Sequence, residues 1–257
     1  MINVDGSVIA FRSDAFDFVA DDTNDRPDVF VSDLTNPVML ASRADVTVPN
    51  LSGNESSGLQ SSTRRQVLSE DGRYLIFQSD VSNLVPNDTN GLTDVFRYDR
   101  QTGEILLISA SVGGADSGNG YSTGHVISAD GNRIAFTSAA SDLIANDDNG
   151  GTEDVFVRDV AAGTTTLVSI RMDELGSGDS ISFGPIISAD GNVVAFESYA
   201  SDLTANDTDF NGNVFTRNLG TDTTTLVSVR PDGVNGGDSG SSSPAISADG
   251  NMVAFMS

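Results

Sequence analysis

The apolar residues of this chain come in short runs rich in Val, Ile and Phe, separated by stretches of Asp, Asn, Ser, Thr and Gly. β-Branched and aromatic runs bounded by turn residues are the pattern of strands, and their close spacing leaves no room for helices. The pattern also repeats. Ile127-Ser128-Ala129-Asp130-Gly131-Asn132-Arg133-Ile134-Ala135-Phe136 returns almost letter for letter at 187–196 and 246–255, with looser copies at 68–77 and 2–11. Its Asp-Gly pairs begin at 5, 71, 130, 190 and 249, intervals of 66, 59, 60 and 59 residues, and such regularity marks a repeat architecture.

Within one period the order of elements is constant. A short apolar strand A (126–128) leads into the Asp-Gly pair, which tolerates the positive φ of a tight hairpin. Strand B (133–138) follows, then a polar loop, then strand C at 155–158, matched at Val29-Phe30, Val95-Phe96 and Val214-Phe215. A turn at Gly163 leads to strand D (166–169), and a Gly/Ser-rich stretch such as 113–124 returns to the next strand A. Strands B and C are apolar on both alternating faces, as expected of a sheet sandwiched between two neighbours. Radially stacked sheets meet that requirement, since a single sheet cannot bury both of its faces alone. A β-sandwich or a β-helix is the alternative, but the period is far too long for β-helix coils.

The run 127–138 followed by Asp154-Val155-Phe156-Val157-Arg158-Asp159 resembles the TolB-type propeller repeat, in which a Ser-Pro-Asp-Gly turn precedes an Ala-Phe strand and an Asp-Ile-Tyr strand. Ala129 stands where that family usually has Pro. The resemblance implies an all-β chain, a β-propeller of four-stranded antiparallel blades. It says little of function, because propellers of this type serve as partner-binding modules, accessory domains of peptidases and lyases. One propeller domain or fragment over 1–257 is expected, with repeats at roughly 1–63, 64–122, 123–182, 183–242 and 243–257. Four blades are near-complete and the fifth is half present, so the ring is expected to be open, or the chain a piece of a longer parent.

Charge narrows the functional classes. With 37 acids against 13 bases the formal charge is −24, which disfavours nucleic acid and anionic membrane surfaces, both of which are bound through Lys and Arg. No basic segment followed by an apolar run stands at the start, and no membrane-spanning stretch is visible. Absence of cysteine excludes disulfides and thiolate metal sites. The resemblance and the lack of cysteine together imply an extracellular or periplasmic module. Acidity of this degree also suits a saline habitat.

In an antiparallel meander the B–C and D–A loops share one face, and long loops on one rim of a rigid scaffold commonly carry function. The B–C loops (14–28, 80–94, 139–154 and 199–213) hold 17 of the 37 acids and a single base, Arg26. Their spacing points to Ca²⁺. Asp22, Asn24 and Asp28, like Asp88, Asn90 and Asp94, place oxygens at relative positions 1, 3 and 7; Asp207, Asp209, Asn211 and Asn213 add position 5 before a Gly. The loop with Asp147, Asn149 and Asp154 is one residue longer, which leaves its register open. An EF-hand is excluded: its twelfth-position ligand would be Asp33, Asp99, Asp159 or Asn218, about 16 Å away along strand C at roughly 3.3 Å per residue. Hydrogen-bonded turns are the structural alternative for the same residues.

Catalytic chemistry has less to work with. His125, the only histidine, occupies a slot held by Gln66, Pro185 and Pro244 in other repeats, and so reads as filler. Paired loop carboxylates leave a glycosidase or polysaccharide lyase as the alternative. Trp is absent and only four Tyr are present, so sugar-stacking platforms are scarce. The expectation is a non-enzymatic propeller that presents an acidic face to a protein or polysaccharide partner, with Ca²⁺ in its B–C loops; a scaffold without activity of its own is the third reading.

Overall fold

A computed structural model describes residues 1–20, 22–45, 56–59 and 66–257. Among them there is no helix, and the strands form antiparallel sheets whose spatial order follows the chain. The first sheet contains β1 (Ile9–Ser13), β2 (Asp28–Ser32) and β3 (Met39–Leu40), with a bridge between Ile2 and Ile9 standing in for strand A. The second contains β4 (Ser57–Gly58), β5 (Tyr74–Ser79), β6 (Asp94–Asp99) and β7 (Ile105–Leu107). The third contains β8 (Ser122–Ile127), β9 (Arg133–Ser138), β10 (Asp154–Asp159) and β11 (Thr164–Leu167). The fourth contains β12 (Ser182–Ile187), β13 (Val193–Ser198), β14 (Asn213–Asn218) and β15 (Thr223–Leu226); β16 (Ser242–Ile246) and β17 (Val253–Met256) form a two-stranded fifth. The expected boundary at 63/64 between the first two repeats lies outside the described residues, as does Asp21 of the first B–C loop.

Each sheet is organised around one row of side chains. Phe11 and Phe30, Phe77 and Phe96, Phe136 and Phe156, and Phe196 and Phe215 are cross-strand partners on strands B and C. Their rings stack at centroid distances of 5.6 to 5.9 Å. Leu40, Leu107, Leu167 and Leu226 on strand D extend the row. The opposite face of each sheet is covered by the next: β8 lies on β5 and β6, β12 on β8, β9 and β10, and β16 on β12, β13 and β14. Burial on both faces explains why strands B and C lack polar alternation. The ring is not closed. At its last sheet Phe255, which has no strand C beside it, is 37% exposed, whereas Phe156 is fully buried.

Sheets are also locked together at the Asp-Gly turns. Glu70 N–H donates to Ala129 O, Ala129 N–H to Ala189 O, and Ala189 N–H to Ala248 O, a chain of hydrogen bonds of 2.8 to 2.9 Å from turn to turn. Gly131 has φ +76°, and a Cβ there would lie 2.2 Å from the Tyr74 ring of the preceding sheet; Gly72, Gly191 and Gly250 press in the same way on Val8, Arg133 and Val193. Glycine is therefore required twice, for its backbone and for close approach. The reversal is wider than the tight hairpin expected, because Ser128 N–H pairs with Arg133 O and leaves four residues in the loop. The Ser128 hydroxyl and Asn132 amides bind the Asp130 carboxylate, which holds that loop in shape.

Strand B of the third sheet runs over the residues expected, whereas strands A and D shift. Strand A starts four residues early, at Ser122, because a bulge between Thr123 and Val126 carries the pairing past Gly124. Strand D stops at Leu167, since the next two N–H groups both turn to Val155 O. The bulge recurs in β12 and β16, with left-handed backbone at Gly124 (φ +63°), Gly184 (φ +64°) and Ser243 (φ +56°). Ser243 alone of the three carries a Cβ where the conformation disfavours one. Ser243→Gly is expected to stabilise the chain by about 0.5–1 kcal/mol and Gly131→Ala to destabilise it by more than about 2 kcal/mol, both measured by urea unfolding.

Candidate functional site

The B–C and D–A loops meet on one rim. Val112 and Met172 N–H, from D–A loops, donate to Asp142 O and Asp202 O of the following B–C loops. Ser201 N–H and hydroxyl both bind the Asp179 carboxylate, and Asn119 bridges to Ser141 and Asp142 in the same way one sheet earlier. The D–A loops after the second and third sheets are small hairpins, with bridges at Ala110–Ser117 and Ile170–Ser177.

The position-7 residues are fully buried and hold the fold. Ser42, Ser109 and Ser169 hydroxyls donate to Asp28, Asp94 and Asp154 at 2.5 to 2.6 Å, and Ser228 donates to Asn213 at 2.8 Å. The same hydroxyls accept the N–H of Val29, Val95, Val155 and Val214 at 3.0 Å. This clasp ties the end of strand D to the start of strand C in every complete sheet. The position-3 residues serve it too. Asn90 donates to Asp94 Oδ2 (2.8 Å) and Gly118 O (2.7 Å), while its own Oδ1 accepts Leu92 N–H. Asn149 donates to Asp154 Oδ2 and Gly178 O, which fixes the register of the longer loop: the extra residue is absorbed at Gly150-Gly151, both with positive φ. Asn24 stands in the same relation to Asp28.

Position 1 differs. Asp88 is 5% exposed, and neither carboxylate oxygen has a well-formed hydrogen bond, the Ser117 hydroxyl and Asn90 amide being the nearest donors. Asp22 and Asp207 are as deeply buried and each leaves Oδ1 unpartnered. Asp147 is half-buried and receives the Ser177 hydroxyl at 3.1 Å. In the fourth loop Gly236 replaces that serine, because the Asn213 side chain fills the space; Asn213 donates instead to Asp207 Oδ2. Asp209 is used up in its own turn through Asn211 N–H, and Asn211 is exposed.

Burial sets the electrostatics of these groups. It pushes Asp94 and Asp154 up to about 7, and Asp28 and Asp88 up to about 6, against serine hydrogen bonds that pull the other way. Asp22, Asp147 and Asp207 are raised for the same reason. A cation meets this donor set in part: position 1 offers buried oxygens with capacity to spare, whereas positions 3 and 7 are committed to each other. Among the described residues no group of three or more His, Asp or Glu side chains is gathered that could hold a metal.

The opposite rim is electrostatically settled. Asp33, Asp99 and Asp159, at the far ends of strands C, pair with Arg100, Arg73 and Arg133 at 2.7 to 3.3 Å. The loop rim instead exposes both charge and apolar surface, since Phe16, Phe18, Leu92, Tyr121, Ile181, Tyr199 and Phe210 are 38 to 66% exposed there. Tyr199 stacks on Phe183, and Tyr121 donates to Glu153 at 2.8 Å. His125 is fully buried within β8. The serine clasps and the apolar rim were missed in the sequence; the signal for the clasps was a Ser 14 or 15 residues after each position-7 residue.

Sequential four-stranded meanders, each packed face to face on the next, define a β-propeller. Its fold is TolB-like. Resembling solved chains include a putative TolB from Agrobacterium tumefaciens (TM-score 0.50, 16% identity, 88% of this chain and 62% of that one) and the tricorn protease (0.53, 14%, 99% and 18%). TolB from Acinetobacter baumannii aligns over 97% of this chain and 45% of its own at 20% identity, with a TM-score of 0.49. The chain thus spans less than two thirds of each. No protein-family model matches it, and no curated protein does.

Two outcomes are expected. Ser169→Ala, which strands Asp154 Oδ1 and Val155 N–H, lowers the urea-unfolding free energy by about 2–3 kcal/mol. The second concerns pH. The folded carboxylates hold their protons up to about 6 or 7, whereas unfolded ones release them near 4, so the folded state binds more protons in between. Stability accordingly falls as pH rises from about 4 to about 7. Melting midpoints at pH 5 exceed those at pH 8, and the Asp94→Asn/Asp154→Asn variant loses most of that slope.

Proposed function

We propose that this chain is a non-enzymatic propeller module that holds a protein or polysaccharide partner on its B–C and D–A loop face, outside the cytoplasm. The observation that carries the reading is the asymmetry between rims. On the far rim Asp33, Asp99 and Asp159 are paired with arginine and the exposed apolar residues are aliphatic, such as Val4, Leu34 and Met252, while the loop face carries exposed carboxylates beside the aromatic side chains Phe16, Phe18, Tyr121, Tyr199 and Phe210. Exposed aromatic side chains set among charges are characteristic of an interaction site. The charge favours a partner that is itself cationic at its contact points. Likeness to a putative TolB and to the tricorn protease fits a propeller working as a module of larger machinery, and the TolB-type resemblance favours a periplasmic or extracellular location.

Within this reading Ca²⁺ serves as a structural clip at position 1, with Asp88 the leading ligand because both of its buried oxygens lack well-formed partners. Asp22 and Asp207 offer one such oxygen each. A cation there replaces the proton that burial otherwise retains.

Photocrosslinking residues placed at Phe16, Leu92 and Phe210 should capture a partner from the native source that the same probe at Leu34 or Met252 does not. Equal capture from both rims, or none from the loop rim, contradicts the assignment. For the clip, millimolar Ca²⁺ against EDTA at pH 7.5 should raise the melting midpoint, through a stabilisation of up to about 4 kcal/mol at a thousand-fold excess over Kd. Asp88→Asn should abolish the shift; an unchanged midpoint in the parent chain removes the metal.

A further inference from the structure

All 13 basic residues of this chain are arginine, and two of them converge on a cavity away from the axis. The cavity, of about 410 Å³, lies in the seam between the third and fourth sheets, bounded by the D–A hairpin at 171–174, the B–C loop at 203–206 and strand β15. The Arg217 side chain is 7% exposed. Nη1 donates to Thr224 at 3.2 Å and Nη2 weakly to exposed Asp222 at 3.4 Å, with Glu174 farther off at 3.7 Å. Its Nε is buried with no hydrogen-bond partner. Thr204 Oγ1, on another wall, is likewise buried with no hydrogen-bond partner, and Arg171 is held in ion pairs with Asp148 through Nη2 (3.2 Å) and, at longer range, with Asp173 through Nε (3.5 Å).

A buried guanidinium with an unfilled edge, a second guanidinium and an unsatisfied hydroxyl facing one cavity form an incomplete binding arrangement. The planar donor fork of arginine matches a carboxylate. The remaining polar lining is threonine and asparagine, and Met172 and Leu226 supply an apolar wall. Hydroxyl and amide groups beside an apolar wall suit a ring that carries its own hydroxyls and one carboxylate. The volume lies in the range of small-molecule sites. Glu174 explains how the site rests without ligand. It stands at φ +59°, a backbone conformation unfavourable for a side-chain-bearing residue, and holds its largely exposed carboxylate loosely towards Arg217.

We propose that this seam binds a sugar acid of monosaccharide size, a uronate, whose carboxylate takes the place of Glu174 on Arg217. The site does not depend on the partner-binding reading of the loop face.

Titration of the isotopically labelled chain with sodium galacturonate, followed through the arginine Nε–H signals by NMR, tests this. The Arg217 signal should shift saturably, with Kd on the order of 1 mM, a modest affinity fitting one ion pair and a few hydroxyl contacts. Glu174→Gln, by removing the competing carboxylate, should tighten binding about five-fold, whereas Thr204→Val and Arg171→Gln should each weaken it about ten-fold. The methyl ester of galacturonate should leave the signal in place. No saturable shift, unchanged affinity in both weakening variants, or weaker binding in Glu174→Gln overturns the proposal, and an equal response to acetate overturns the sugar assignment. Thr204→Val keeps the test open should changes at the arginines impair folding.

Discussion

A β-sheet that is apolar on both faces has to be covered on both, and the rest of this molecule follows from that constraint. The stacked Phe pairs on strands B and C fill one face of each sheet, and the next sheet covers the other. No sheet can bury its faces alone, so the chain must repeat. Covering sheets radially turns every B–C and D–A connection towards one rim and every Asp-Gly turn towards the other. The chemical difference between the rims is thus a by-product of packing.

Sheet-to-sheet contact also dictates residues that look functional in isolation. The Asp-Gly glycines are fixed by the side chain of the preceding sheet as much as by their φ angles. The aspartate ahead of strand C is a buried acceptor for a serine at the end of strand D, an arrangement retained when Asn213 replaces aspartate in the fourth sheet. Burying carboxylates this deeply raises their affinity for a proton, and the chain carries this cost in each sheet where the position is Asp. Asp22, Asp88 and Asp207 at position 1 stand apart because the fold encloses them without giving both oxygens a partner.

How far this could be read from the sequence depended on distance along the chain. The period, the strand order and the limits of β9 were legible, because hydrophobic runs and Asp-Gly pairs are local signals. The bulge at Gly124 was not, since its cue is one glycine whose counterpart Ser243 hides it. The 1-3-7 oxygen spacing was legible, but the division of labour within it was not. That division is imposed by Ser117 and Gly118, 27 and 28 residues beyond Asn90, and by Ser109, 15 beyond Asp94, and it appears only when the D–A hairpin folds back. The arginine-lined seam had no sequence signal at all, because its walls come from three separate loops and the last two strands of the fourth sheet.

The claim on which everything rests is that neighbouring sheets bury each other's faces. Amide hydrogen exchange, resolved by mass spectrometry, measures it directly. Strands β5, β6, β9, β10, β13 and β14 should open together as the slowest-exchanging set, while β16 and β17, half-covered at the end of the array, exchange far sooner. Protection as strong in β17 as in β9, or independent opening of β9 and β13, would contradict stacking as the source of stability.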